Sequence, residues 1–269
     1  MDKRTVGEQN KLKALEMIWN FGWLRSQEFG LFLWQNSETP KKNAEALVRK
    51  LLDQKLVIPR KLPANAGTAL FLSALGAEAL RELGIVANSG KSIGRIEDGV
   101  WIPPKNWKHH LLASGALGHL KREGYSVIAE LEIRRKHNLK KFPDGIFYMT
   151  EMGIDEDRID AFWLEVESHR KSGPNMEFMV DSMLKSLKVN ILNDSNEICG
   201  LTINRLALAF PQKSEDENNH KIDHKQRVTN AFKNKIRQDL PMNFIGLENY
   251  GLGVSAIQRK QVTIKANTF

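Results

Sequence analysis

The sequence predicts an α/β (α+β) chain in two parts. A helical N-terminal segment closes on a strand hairpin, and a C-terminal segment sets helices around a mixed sheet. Three observations carry this expectation. Apolar residues recur at three- and four-residue spacing through the first fifty positions, then give way to two short apolar runs. Periodicity is lost in "IVANSGKSIGRIEDGVWIPPKNW", where Gly, Ser, Asn and a Pro pair collect. Beyond it, "YSVIAELEIRR", "KKFPDGIFYM" and "AFWLEVESH" read as strands. The expected divisions are residues 1–88, a linker over 89–107, and a second domain over 108–269.

The first helix, "EQNKLKALEMIWNFG", places Leu12, Leu15, Ile18 and Trp19 on one face, and Gly22 stops it. "RSQEFGLFLW" follows as a short helix with Ser26 in the N-cap position. A third helix within "SETPKKNAEALVRKLLDQKLV" aligns Ala44, Leu47, Val48, Leu51 and Leu52. "LVIPRKL" and "TALFLS" flank the turn residues "PANAGT" as a hairpin, and "ALGAEALRELG" closes as a helix. Three helices followed by a two-stranded hairpin make the winged-helix variant of the helix-turn-helix. Its third helix enters the major groove and its hairpin touches the backbone. Lys41, Lys42 and Asn43 open that helix, Arg49 and Lys50 follow, and Arg60 and Lys61 sit on the wing. These are the expected DNA contacts; the alternative is a winged helix that meets protein, its lysines merely solvated.

In the second segment Leu111, Leu112, Ala116, Leu117 and Leu120 line a helix ended by Gly124. Three strands come next, then a helix "NMEFMVDSMLKSLKVN", a strand "EICGLTINRLALAF", a basic helix "DHKQRVTNAFKNKIRQDL" and a last strand near "MNFIGL". The polar insert "QKSEDENNH" reads as a loop. Lys225, Lys233, Lys235 and Arg237 of the basic helix either clamp a DNA backbone or form a solvated outer face.

Forty Lys and Arg against 32 Asp and Glu leave a formal net charge of +8, which favours a polyanionic partner such as nucleic acid. One cysteine, Cys199, excludes an internal disulfide and a zinc site built on Cys clusters. The N-terminus has no apolar signal core, and no apolar run is long enough for a bilayer. The expectation is a cytoplasmic protein with no membrane partner.

Acidic residues stand inside apolar runs at Asp144, Glu165 and Glu167. Ionised carboxylates lose solvation there and repel one another unless a cation joins them. By strand alternation Trp163, Glu165 and Glu167 share a face, as Asp144 does with Phe142, Ile146 and Tyr148. Antiparallel pairing of the two strands would stand Asp144 beside Glu165 or Glu167. Oxygen-only ligands select a hard divalent ion, Mg²⁺ or Mn²⁺, able to polarise a phosphodiester and acidify a bound water. The alternative is a half-exposed sheet whose acids face solvent.

"FPDGIF" followed by "FWLEVESHRK" resembles the PD-(D/E)xK nuclease signature. The resemblance implies a restriction-endonuclease-like mixed-sheet domain with Asp144 and Glu165 as its metal-binding acids. Glu167 takes the place often held by Lys, either as a ligand or as the group that activates water. Lys171 or Lys185 would supply the missing positive charge, with His169 nearby. Joined to a winged helix, this core is similar to the replication-relaxation proteins, and more narrowly resembles the MobC class of plasmid mobilisation relaxases. That likeness implies a metal-dependent endonuclease that nicks a plasmid transfer origin, with duplex DNA, the nicked strand and a relaxosome accessory protein as partners. Two other readings stay open: a non-catalytic winged-helix regulator of plasmid replication or transcription, and a nuclease-type transposase subunit.

No "HExxH" occurs, and Tyr125, Tyr148 and Tyr250 all lie far from the N-terminus where the common tyrosine relaxases carry their nucleophile. His109 and His110 either reach a phosphate or serve as satisfied cap groups, and His220 with His224 is a weak metal pair. Trp101 and Trp107 either stack on unpaired bases or pack between domains.

Overall fold

The computed structural model describes residues 2–149, 161–166, 173–192 and 197–209, with the helical residues Arg227, Asn230 and Ala231. The chain is mixed α and β, and it divides into two compact units at Gly124/Tyr125.

The first unit holds helices α1 (Lys3–Phe21), α2 (Ser26–Leu33) and α3 (Pro40–Asp53). The hairpin β1 (Val57–Lys61) and β2 (Thr68–Leu72) and helix α4 (Ala74–Arg81) come next. The apolar spacing of the helices translates into one shared core of Ala14, Leu15, Ile18, Phe29, Ala44, Leu51, Leu70 and Leu80. Gly22, at φ 86°, ends α1 in a conformation that only glycine adopts at little cost. Leu24 then exchanges two backbone hydrogen bonds with Leu70, so the hairpin gains a one-residue third strand. Gly76 lets α4 approach the chain before β1, because a Cβ there would lie 2.1 Å from the Leu56 carbonyl oxygen.

An ion pair fastens α2 to the hairpin loop. Arg25, not Ser26, is the N-cap residue of α2, and Ser26 is the first helical residue. The Arg25 amide donates to Glu28 Oε2 at 2.8 Å, Arg25 Nη2 donates to Glu28 Oε1 at 2.5 Å, and Nη1 donates to the Ala66 carbonyl at 2.8 Å. Both side chains are buried. Glu28 therefore satisfies a helix-end donor and a guanidinium together, with no hydroxyl cap.

The stretch read as a linker is folded into this unit. A 3₁₀ turn at Gly90–Ser92 is followed by strands β3 (Arg95–Glu97) and β4 (Val100–Ile102), paired as a second hairpin. Trp101 meets Phe71 edge-on at 5.6 Å and donates its indole N–H to the Ile93 carbonyl. Trp101 and Trp107 pack on a cluster built from Trp23, Leu62, Ala69, Phe71 and Leu111. Neither tryptophan is a spacer between domains; both bury apolar surface within the first unit. Helix α5 (Trp107–Arg122), expected to open the second domain, belongs to the first. Gly118 of α5 and Leu31 of α2 touch closely, and His110 stacks on Trp23 at 4.2 Å while its Nε2 bonds the Trp23 carbonyl at 2.9 Å.

The second unit is a five-stranded sheet, order β5-β6-β7-β9-β8. Its strands are β5 (Ser126–Ala129), β6 (Gly145–Tyr148), β7 (Ala161–Val166), β8 (Glu197–Ile198) and β9 (Leu201–Ala209). β5, β6 and β7 form an antiparallel meander; β9 runs parallel to β7 after helix α7 (Gly173–Leu192). Every residue of β7 is buried, as the central position requires. One face of the sheet, with Ile146, Ala161 and Trp163, packs on Met176, Met179, Val180 and Met183 of α7. On the other, Phe147 and Phe162 stack directly across the ladder at 4.5 Å.

Two expectations here need correction. The predicted strand "YSVIAELEIRR" stops at Ala129, and Glu130–Lys136 forms helix α6. The pairs Glu130–Arg134 and Glu132–Lys136, each four residues apart, favour helix over the alternating pattern. "EICGLTINRLALAF" is not one strand: Cys199 (φ 54°) and Gly200 (φ 75°) turn the chain between β8 and β9. Cys199 is partly buried, and burial pushes its thiol pKa up. The expected last strand near "MNFIGL" lies outside the described residues.

Replacing Glu28 by Ala should destabilise the chain by about 3–5 kcal/mol in denaturant unfolding, since it strands a buried guanidinium. The double change Arg25→Met, Glu28→Leu should cost clearly less than Glu28→Ala alone. Burial and His109 hold the His110 imidazole at a pKa of about 4, against an ordinary 6.5. The unfolded chain binds a proton there that the folded chain refuses. Stability from this group is therefore full above pH 6.5 and is lost as pH falls towards 4, by at most about 3 kcal/mol. Unfolding midpoints measured from pH 7 to 4 should show that loss, and His110→Gln should flatten it.

Candidate active site on the central strand

Glu165 is the one charged residue on β7 and is 4 % exposed. Strand alternation puts it on the face of Trp163, at the end of the core that α7 covers. Trp163 Nε1 lies 3.4 Å from Glu165 Oε2. Among the described residues Lys141 places a cation on this carboxylate, its Nζ 2.5 Å from both Oε1 and Oε2. The sequence reading gave this role to a metal; in the structure an ammonium lies on both oxygens.

Asp144 lies one residue before β6. Its amide donates to the Leu164 carbonyl at 2.9 Å, and its Oδ2 accepts the Val166 N–H at 2.6 Å. These two contacts fall on the residues flanking Glu165. The sequence-derived pairing of the Asp144 strand with the Glu165 strand is thus present as β6 against β7. Strand alternation does not govern Asp144, because it sits outside the regular ladder; its carboxylate replaces the missing backbone acceptor for Val166.

Lys141 and Asp144 arrive on a loop, residues 137–144, which is tied down along its length. His137 Nε2 accepts the Cys199 N–H at 2.9 Å. Arg134 of α6 lies over the Phe142 ring at 4.2 Å, and Phe142 packs on the sheet core. Pro143 is buried beside Asp144. The α6 helix that the alternation concealed is therefore part of what positions the loop.

Glu167, His169 and Lys171 lie outside the described residues, as do Lys225, Lys233, Lys235, Arg237, His220 and His224. Lys185 falls on α7. Among the described residues no group of three His, Cys, Asp or Glu is placed to hold a metal ion. What the structure brings together is two carboxylate residues and one ammonium. Asp144 and Glu165 offer the hard oxygen donors that Mg²⁺ or Mn²⁺ prefers, so the residues present suit such an ion. Lys141, three residues before Asp144, was readable in "KKFPD"; strand alternation gave no reason to turn it towards Glu165.

In the first unit the expected DNA contacts divide by exposure. Ala44, Leu47 and Leu51 bury one face of α3, and Lys41, Lys42, Arg49 and Lys50 are exposed. Asn43 is partly buried and donates from Nδ2 to Ser37 Oγ at 3.1 Å, which fixes the turn before α3. Arg60 is partly buried on β1, and Lys61 is exposed at its end. His110, offered as a phosphate contact, is engaged by Trp23 on both its ring face and its edge.

No protein-family model, curated protein or solved structure matches this chain. Among the described residues no helix is long and apolar enough to cross a membrane.

Asp144→Ala should destabilise the second unit by about 1–3 kcal/mol, because it leaves the Val166 N–H without its charged acceptor. Asp144→Asn retains an acceptor oxygen and should cost clearly less. Hydrogen exchange at the Val166 amide reports the difference.

Proposed function

We propose that the chain is a divalent-metal-dependent DNA endonuclease: a winged-helix DNA reader joined to a PD-(D/E)xK-type nuclease core. The observation that carries this reading is Asp144 bonded to both neighbours of the buried Glu165 on the central strand. A buried carboxylate is expensive, and a fold keeps one at a strand end where the charge has a use. The antiparallel meander β5–β6–β7, followed by α7 and the parallel strand β9, supports that reading of the core. Asp144 and Glu165 would hold Mg²⁺ or Mn²⁺, with Glu167 as a third oxygen ligand. When bound, that ion would polarise the scissile phosphodiester and acidify a water.

Support for the DNA reader comes from α3, which buries its apolar face and turns Lys42 and Arg49 to solvent, and from the Arg60 and Lys61 hairpin. Phosphate contacts of this kind would give salt-dependent affinity for a duplex. The net charge of +8 agrees with such a partner. A cytoplasmic relaxase that nicks a plasmid transfer origin with an accessory protein is the narrower form of the proposal.

The ion pair of Lys141 with Glu165 favours a second reading. A non-catalytic DNA-binding regulator would use Lys141 simply to neutralise a buried acid. Nicking of supercoiled plasmid carrying the cognate site separates the two. Asp144→Asn and Glu165→Gln should abolish Mg²⁺- or Mn²⁺-dependent nicking and leave site binding nearly intact; wild-type protein that binds the site and never cuts it supports the regulator. Lys42→Ala with Arg49→Ala should weaken duplex binding and reduce the slope of log affinity against log salt by about 2.

A further inference from the structure

We propose that Lys141 is an intramolecular stand-in for the divalent ion, so that metal and ammonium compete for Glu165. The inference rests on the metal reading of the site given above. Lys141 Nζ meets both carboxylate oxygens at 2.5 Å, and the indole N–H of Trp163 faces Oε2 at 3.4 Å. Glu165 is buried, so its carboxylate cannot swing into solvent to take a second cation elsewhere. A metal reaching Glu165 meets a buried carboxylate on which both oxygens already carry the ammonium. Two positive centres on one desolvated carboxylate repel strongly, because little water screens them.

Lys141 is free to leave where Glu165 is not. It lies on a loop outside the strands, is partly exposed, and carries its charge on a flexible four-carbon stem. The anchors of that loop, His137, Phe142 and Asp144, hold backbone and neighbours rather than the lysine itself. The metal-free state thus keeps its buried acid satisfied, at the expense of metal affinity. Metal entry displaces the ammonium without moving the strand.

Isothermal titration of the full chain with Mn²⁺, with no DNA present, tests this. Lys141→Met should bind Mn²⁺ at least about tenfold more tightly than wild type, since a competing like charge is gone. Lys141→Gln, which keeps a neutral donor to Glu165 and guards against misfolding of the Met variant, should fall in the same direction. Glu165→Gln should lose the site. In wild-type protein, acetylation of the Lys141 amine by added acetic anhydride, with acetate leaving, should rise several-fold in mass spectra when Mn²⁺ is present. Equal Mn²⁺ affinity in wild type and both Lys141 variants, with Lys141 acetylation unchanged by the metal, overturns the competition and leaves the metal site standing. Absence of Mn²⁺ binding by wild type and by both variants removes this inference together with the metal reading beneath it.

Discussion

The second unit depends on the charge at Glu165. It is a carboxylate on a central strand, packed between neighbours on both sides, where desolvation costs several kcal/mol unless a cation shares the site. Lys141 meets that need. Much of the surrounding structure can be understood as the means of delivering it. The loop that carries Lys141 is closed at one end by His137 on the β8–β9 turn and at the other by Asp144 on β7. Its middle is pressed down by Arg134 on Phe142. A hydrophobic residue at 165 would fold more cheaply.

The first unit answers a different constraint with the same device. The buried pair Arg25–Glu28 joins α2 to the hairpin loop through the Ala66 carbonyl. The aromatic cluster of Trp23, Phe71, Trp101 and Trp107 then draws residues 89–107 onto the hairpin. What Gly, Ser and Pro content presents as a spacer is a second hairpin with its own indole hydrogen bond. The exposed face of α3, with Lys41, Lys42, Arg49 and Lys50, stays clear of these arrangements.

Local periodicity made much of this legible. The helices α1, α3 and α5 and the two hairpin strands β1 and β2 follow directly from apolar spacing, and Asp144 and Glu165 are neighbours as strand pairing implies. The misreadings have local as well as tertiary causes. Glu130–Lys136 alternates like a strand, but its i,i+4 ion pairs and the Ile133 anchor make a helix. Lys141 lies in a loop, where no periodicity announces direction. The boundary expected at residue 107 falls at 124, because Leu111 and His110 find their partners around Trp23. Sequence separation gave no hint of that packing.

The cation site proposed at Asp144 and Glu165 is tested most directly by a crystal structure of the protein grown with Mn²⁺, with anomalous differences recorded at the manganese edge. A single strong peak bound by the Asp144 and Glu165 carboxylates, with Lys141 turned away from Glu165, is expected. Lys141 still seated on Glu165, with no manganese peak at either carboxylate, would contradict it.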